Sequence, residues 1–159
     1  MSAKYSDVEL PPAARSRALA RFRKQLAKWH LKMPRVRPLV IDFGLRDFDK
    51  IGLIEFWVAN EEKAGYCGKF LFVFDGQKCP YHHHELKHET FFVMKGRVRM
   101  IVNGKTRVLS EGSRLAMSTG MKHSFEATGG PVLLLEVSQP SVRQDNFFRD
   151  RHIGRKGLI

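Results

Sequence analysis

The chain has 159 residues, 43% of them hydrophobic, which fits one globular domain with a sizeable core and excludes a disordered or low-complexity chain. The formal net charge is +12, yet it is concentrated at the ends: residues 1–38 carry ten Lys/Arg against two acids, residues 143–159 five against two, and the span between is nearly balanced at thirteen against twelve. No apolar run approaches the roughly 20 residues of a membrane helix, the N-terminal MSAKYSDVELPP lacks the apolar centre of a signal peptide, and two cysteines make no disulfide framework. A soluble, cytoplasmic protein without membrane insertion is therefore expected. Neither aromatic–basic interleaving nor a DNA-reading motif is present, so no specific nucleic-acid partner is expected and the basic ends read as solvated faces.

Residues 1–10 read as an irregular lead-in. Pro11 and Pro12 then sit where a helix N-terminus tolerates proline. Leu19, Phe22, Leu26, Trp29 and Met33 recur at spacings of three and four, which predicts an amphipathic helix over 13–33, stopped by Pro34. Its stripe needs cover, from the rest of the fold or from a sister subunit, and a homodimer is expected. After Pro38 the pattern changes to short strands, over 39–43, 53–59, 69–75, 91–94, 97–102, 106–109, 114–117, 123–127 and 132–137, separated by Gly and Asn turns. Asn103–Gly104 is a two-residue hairpin signal, because both residues tolerate positive φ. Many short strands at regular spacing predict an all-β barrel or sandwich. The organisation expected is an N-terminal helical extension over 1–38, a barrel over 39–141, and a basic tail over 142–159 packed on one end of it.

Chemistry concentrates between Gly76 and Gly96. His82 and His84 are two apart, so on an extended chain both imidazoles point to one side while His83 points to the other. Glu89 follows after a four-residue loop and can return to the same point, and His123 can approach from an opposite strand. Three imidazoles and a carboxylate suit a divalent transition metal and leave positions open for a reaction. Gly76, His82, His84, Glu89 and Gly96 resemble the first cupin motif at every fixed position. Gly112, Gly120 and His123 resemble the second, with Ser118 where proline is usual and Ala127 where asparagine is usual. The resemblance implies a single cupin barrel, a double-stranded β-helix or jelly roll, holding one metal.

A finer resemblance covers Ile41 to Phe148. IDFGL at 41–45, the run at 50–84, KHETF at 87–91 and LLEVSQPSVRQDNFF at 134–148 are similar to the small cupin-type D-lyxose isomerases. That resemblance implies an aldose–ketose isomerase of the D-lyxose/D-xylulose kind, working through a cis-enediol with a divalent metal, typically manganese; Zn, Fe, Co and Ni suit the same ligands. It implies Glu136 and Lys87 as the proton-transferring pair. The chain departs from the family in a short loop between His84 and Glu89, in a missing insertion before the second motif, and in Phe92 where an arginine is usual. His88, Phe92 and Asp145 are expected near the sugar. Bland alternatives stand beside these roles: Glu136 as a buried glutamate paired with an arginine, Lys87 as a solvent lysine, and His83 as a surface histidine. Two other functions compete, an Fe(II) cupin dioxygenase and a non-catalytic sugar-binding cupin of a surface-polysaccharide or sugar pathway.

Overall fold

One helix, α1 (Pro12–Trp29), precedes eleven strands: β1 (Leu39–Ile41), β2 (Leu53–Glu61), β3 (Tyr66–Val73), β4 (Lys78–His83), β5 (Glu89–Lys95), β6 (Arg97–Val102), β7 (Lys105–Ser110), β8 (Arg114–Met117), β9 (His123–Ala127), β10 (Val132–Ser138) and β11 (Phe147–Phe148). The structure is a computed structural model and describes residues 5–159; the first four residues of the expected lead-in lie outside the described residues. The strands form two sheets, ordered β1-β2-β3-β10-β5-β8 and β11-β4-β9-β6-β7, with antiparallel neighbours throughout. This is the all-β barrel with an N-terminal helix that the strand pattern predicts.

Strand alternation sorts the core into two layers. On β2 and β3, Leu53 and Leu71 face the barrel interior and join Phe91, Met100, Phe125 and Leu134 there. Their neighbours Ile54, Phe56 and Phe72 face outwards, where Ala18, Leu19 and Phe22 of α1 cover them. The Phe22 ring lies 4.7 Å from that of Phe72 and 5.1 Å from that of Phe56. The helical stripe thus packs on its own barrel, and it supplies no argument for a sister subunit. The helix is also shorter than its periodicity suggests. His30 turns left-handed at φ 54°, its N–H bonds the Ala27 carbonyl, and the Leu31 N–H bonds the Leu26 carbonyl, which closes the helix four residues before Met33.

The Asn103–Gly104 turn is as expected, with φ of 46° and 79° joining β6 to β7. Strand β4 is absent from the predicted strands. Pro80 lacks an N–H, the run is poor in β-branched residues, and the pairing with β9 shifts register between Cys79 and His82. The two-residue β11 pairs with it through Phe147 opposite His83 and Phe148 opposite His82. Beyond it, Ile153 and Ile159 enter the interior cluster. Among the described residues no helix is long and apolar enough to cross a membrane.

Candidate active site

His82 lies near the end of β4, His84 just beyond it, and His123 at the start of β9. His82 and His123 are direct register partners, so the third imidazole comes from the adjoining strand rather than an opposite one. One ring nitrogen from each lies within 4.8 Å of the others, and all three residues are buried. Each Nδ1 faces a backbone carbonyl: that of Pro80 at 2.8 Å from His82, of Asp145 at 2.7 Å from His84, and of Met121 at 3.1 Å from His123. A carbonyl only accepts, so each Nδ1 carries a proton and Nε2 is the ring nitrogen turned towards the cluster. Burial, with His123 and His84 close by, holds His82 well below its ordinary value of 6.5. Burial and the Lys87 ammonium lower His84 to about 4. Both imidazoles are therefore in the neutral, metal-ligating form at neutral pH.

Glu89 opens β5 with its Oε1 2.9 Å from His123 Nε2 and 3.6 Å from His84 Nε2. Both Glu89 oxygens and His123 Nε2 are sealed from solvent without a directed hydrogen bond. His123 Nε2 and Glu89 Oε1 thus face each other in a sealed interior, where a cation held between them would satisfy both. The donor set, three imidazoles and one carboxylate, fits a divalent transition metal.

A row of buried charges continues from this cluster across the first sheet. Lys87 Nζ is 3.0 Å from Glu89 Oε2 and donates to Glu136 Oε1 at 2.8 Å. Lys69 Nζ is 3.4 Å from Glu136 Oε2 and 3.7 Å from Glu55 Oε1, and the Trp57 indole N–H donates to Glu55 Oε2 at 2.9 Å. The register accounts for the row: Lys69 is opposite both Trp57 on β2 and Glu136 on β10. Burial alone would depress both lysines, but the carboxylates beside them, Glu136 foremost, raise both above the ordinary value, so both stay charged. Burial would raise Glu89, yet Lys87 leads the contributions that hold it well below the ordinary value. Three carboxylates against two ammonium groups leave one buried negative charge, a further reason for this interior to accept a cation. His82, His84, Lys87, Glu136, Lys69 and Glu55 line one cavity.

The structure thus brings His82, His84, Glu89, His123, Lys87 and Glu136 together. Glu136 pairs with lysines rather than an arginine, and Lys87 is 3% exposed rather than a solvent lysine. His83 points away and stacks on Phe147, with ring centroids 5.1 Å apart. His88 and Phe92 are not brought to the cavity. Phe92 alternates with the inward Phe91 and is 39% exposed, and the exposed His88 precedes the inward Glu89. Asp145 is buried but faces the loop instead of the cavity. Its carboxylate accepts the N–H groups of Glu85, Leu86 and Lys87 and so fixes the short loop that carries Lys87. Lys69, Glu55 and Trp57 were not singled out from the sequence. Their signal is the alternation Leu53, Glu55, Trp57 and Cys67, Lys69, Leu71, which places charges on the face that otherwise holds core.

A family model described as D-lyxose isomerase matches residues 4–96, more than half the chain, and one described as a cupin domain matches residues 70–138. The chain is 28% identical to the D-lyxose/D-mannose isomerase of Thermosediminibacter oceani, over 73% of this chain and 78% of that protein. It is 29% identical to the D-lyxose ketol-isomerase of Cohnella laeviribosi, over 92% and 93%. Among solved structures, the L-ribose isomerase of Geodermatophilus obscurus superposes with a TM-score of 0.70 at 15% identity, covering 90% of this chain and 94% of that one. The L-ribose isomerase of Acinetobacter sp. DL28, in complex with L-ribose, gives 0.68 at 16% identity, covering 86% and 84%. The fold is the cupin fold.

Proposed function

The chain belongs to the D-lyxose isomerase family, and from that membership we propose a metal-dependent sugar isomerase that interconverts an aldose and a ketose of the D-lyxose/D-xylulose kind. The observation that carries the reading is the buried Lys87–Glu136 pair, 2.8 Å apart, beside three imidazoles whose Nε2 atoms are free to ligate. His82, His84, His123 and Glu89 would hold the divalent metal. Bound there, it would supply Lewis acidity for the negative charge that develops on the sugar oxygens. Glu136 takes the proton from one of these carbons and returns it to the other, the sugar passing through a cis-enediol. Lys87, kept protonated between Glu136 and Glu89, donates the hydrogen bond that orients the Glu136 carboxylate and relays the hydroxyl proton between O2 and O1 of the sugar. Neither a dioxygenase nor a passive sugar binder requires a buried carboxylate held by a buried ammonium group at 2.8 Å, which favours the isomerase over both.

Manganese is the proposed metal, on the family resemblance; the nitrogen and oxygen donors equally accept Zn, Fe, Co or Ni. Cytoplasmic residence and a homodimer complete the proposal. The outer face of the first sheet beyond α1 exposes Val58, Tyr66, Phe92 and Val137, and this is the face such pairing would use. Chelation should remove isomerisation of a responsive pentose or hexose, and Mn should restore it; turnover that survives full metal removal would overturn the metal dependence.

A further inference from the structure

Resting on the isomerase reading, we propose that Glu55 and Lys69 form a hydroxyl-recognition subsite that selects the configuration of the sugar at a carbon remote from C1 and C2. Lys69 is 9% exposed in its side chain, and its nearest acceptors stand at 3.4 and 3.7 Å, too far for a strong charge-assisted bond. Its ammonium therefore has donors to spare, and it lines the cavity shared with Glu136 and the metal-site histidines. Glu55 presents the complementary half. Its Oε2 takes the Trp57 indole N–H, which fixes the carboxylate and leaves Oε1 as an acceptor. Lys69 Nζ and Glu55 Oε1 are 3.7 Å apart, a gap that one hydroxyl spans by accepting from the ammonium and donating to the carboxylate. The Trp57 ring lies 4.9 Å beneath the ammonium and holds it in place.

Sheet order sets where the pair stands along the cavity. From β10, which carries Glu136, the next strand is β3 with Lys69 and the next is β2 with Glu55 and Trp57. The Lys69 ammonium sits between the two carboxylates, 3.4 Å from Glu136 Oε2 and 3.7 Å from Glu55 Oε1, so the pair lies one ammonium further along the cavity than the base. A chain whose C1 and C2 lie between Glu136 and the metal cluster extends its far hydroxyls towards the pair. A hydroxyl of the wrong configuration leaves the buried donor and acceptor unmatched, and sites of this kind reject analogues lacking the hydroxyl most strongly.

The test is calorimetry of metal-loaded protein with pentitols and with pentitols lacking one terminal-side hydroxyl, ligands that do not turn over, on wild type, E55Q and the charge-balanced double variant E55Q/K69M. The double variant removes one charge of each sign, so it keeps the fold if the loss of a lone ammonium does not. Wild type should bind one pentitol at least tenfold tighter than its deoxy counterpart, and both variants should lose that difference. Alongside, deuterium exchange at C1 and C2 of glyceraldehyde, which has no hydroxyl beyond C3, should stay within a few-fold of wild type in E55Q. Pentitol discrimination that survives in the variants, no pentitol binding by wild type, or an equal fall in exchange for glyceraldehyde and pentoses would overturn the subsite. Retained discrimination in a wild type that turns over no sugar would sink the isomerase reading and leave the subsite standing.

Discussion

A lysine ammonium sealed from water needs carboxylates at contact distance, and Lys87 has two, Glu136 at 2.8 Å and Glu89 at 3.0 Å. What delivers it there is Asp145. Its carboxylate binds three consecutive loop N–H groups, and its carbonyl accepts the His84 Nδ1 proton. Asp145→Ala should therefore cost about 2–4 kcal/mol in urea unfolding, since it strands the buried Lys87 N–H and two part-buried ones. It should also weaken metal binding by roughly 10–100-fold in a titration, as loss of a ligand-orienting group does. Asp145→Asn, which keeps an acceptor oxygen, should recover part of both. An unchanged metal affinity in Asp145→Ala would remove its orienting role. This role was not legible in the sequence because its partners lie 58 to 60 residues away. His82 and His84 were legible because their spacing of two is itself a strand geometry. Lys69 and Glu55 gave only an alternation, which acquires meaning once β2, β3 and β10 are known to be neighbours.

At the scale of elements, α1 covers the outer face of the first sheet, whose inner face carries Glu89 and the charge row, while His82 and His123 come from the second sheet. Phe22 is 2% exposed and wedged against Phe56 and Phe72, so Phe22→Ala should destabilise the protein by about 3–5 kcal/mol. Metal content of the folded fraction should be unchanged, because the inward neighbours Glu55, Trp57 and Leu71 keep their places. Loss of metal in proportion to the lost stability would mean that the two faces are coupled. The helix itself was legible from its stripe. Its end was not, since a left-handed His30 competes with a Pro34 that looks like the natural stop. Strand β4 escaped for a related reason: Pro80 weakens every local strand signal, and only pairing with β9 and β11 makes the stretch a strand.

For the whole molecule, the barrel holds neutral imidazoles where the unfolded chain would protonate them. His82 and His84 are depressed when folded, His84 to about 4, against an ordinary 6.5. Below pH 6.5 the unfolded state takes up more protons, so stability is full above that value and falls as pH drops towards about 4. The urea midpoint of chelated protein should decline over this window, and a flat midpoint would contradict neutral buried imidazoles. The same neutrality readies them for a metal, and the metal gives the Lys87–Glu136 pair a reaction to serve. The measurement that tests this most directly is solvent deuterium entering C1 or C2 of a pentose or hexose, with wild type and Glu136→Gln compared at equal metal content. The account predicts exchange by the wild type and a loss of at least about 100-fold in the variant with metal retained. Exchange undiminished in Glu136→Gln, or no exchange by the metal-loaded wild type with any of these sugars, would contradict it.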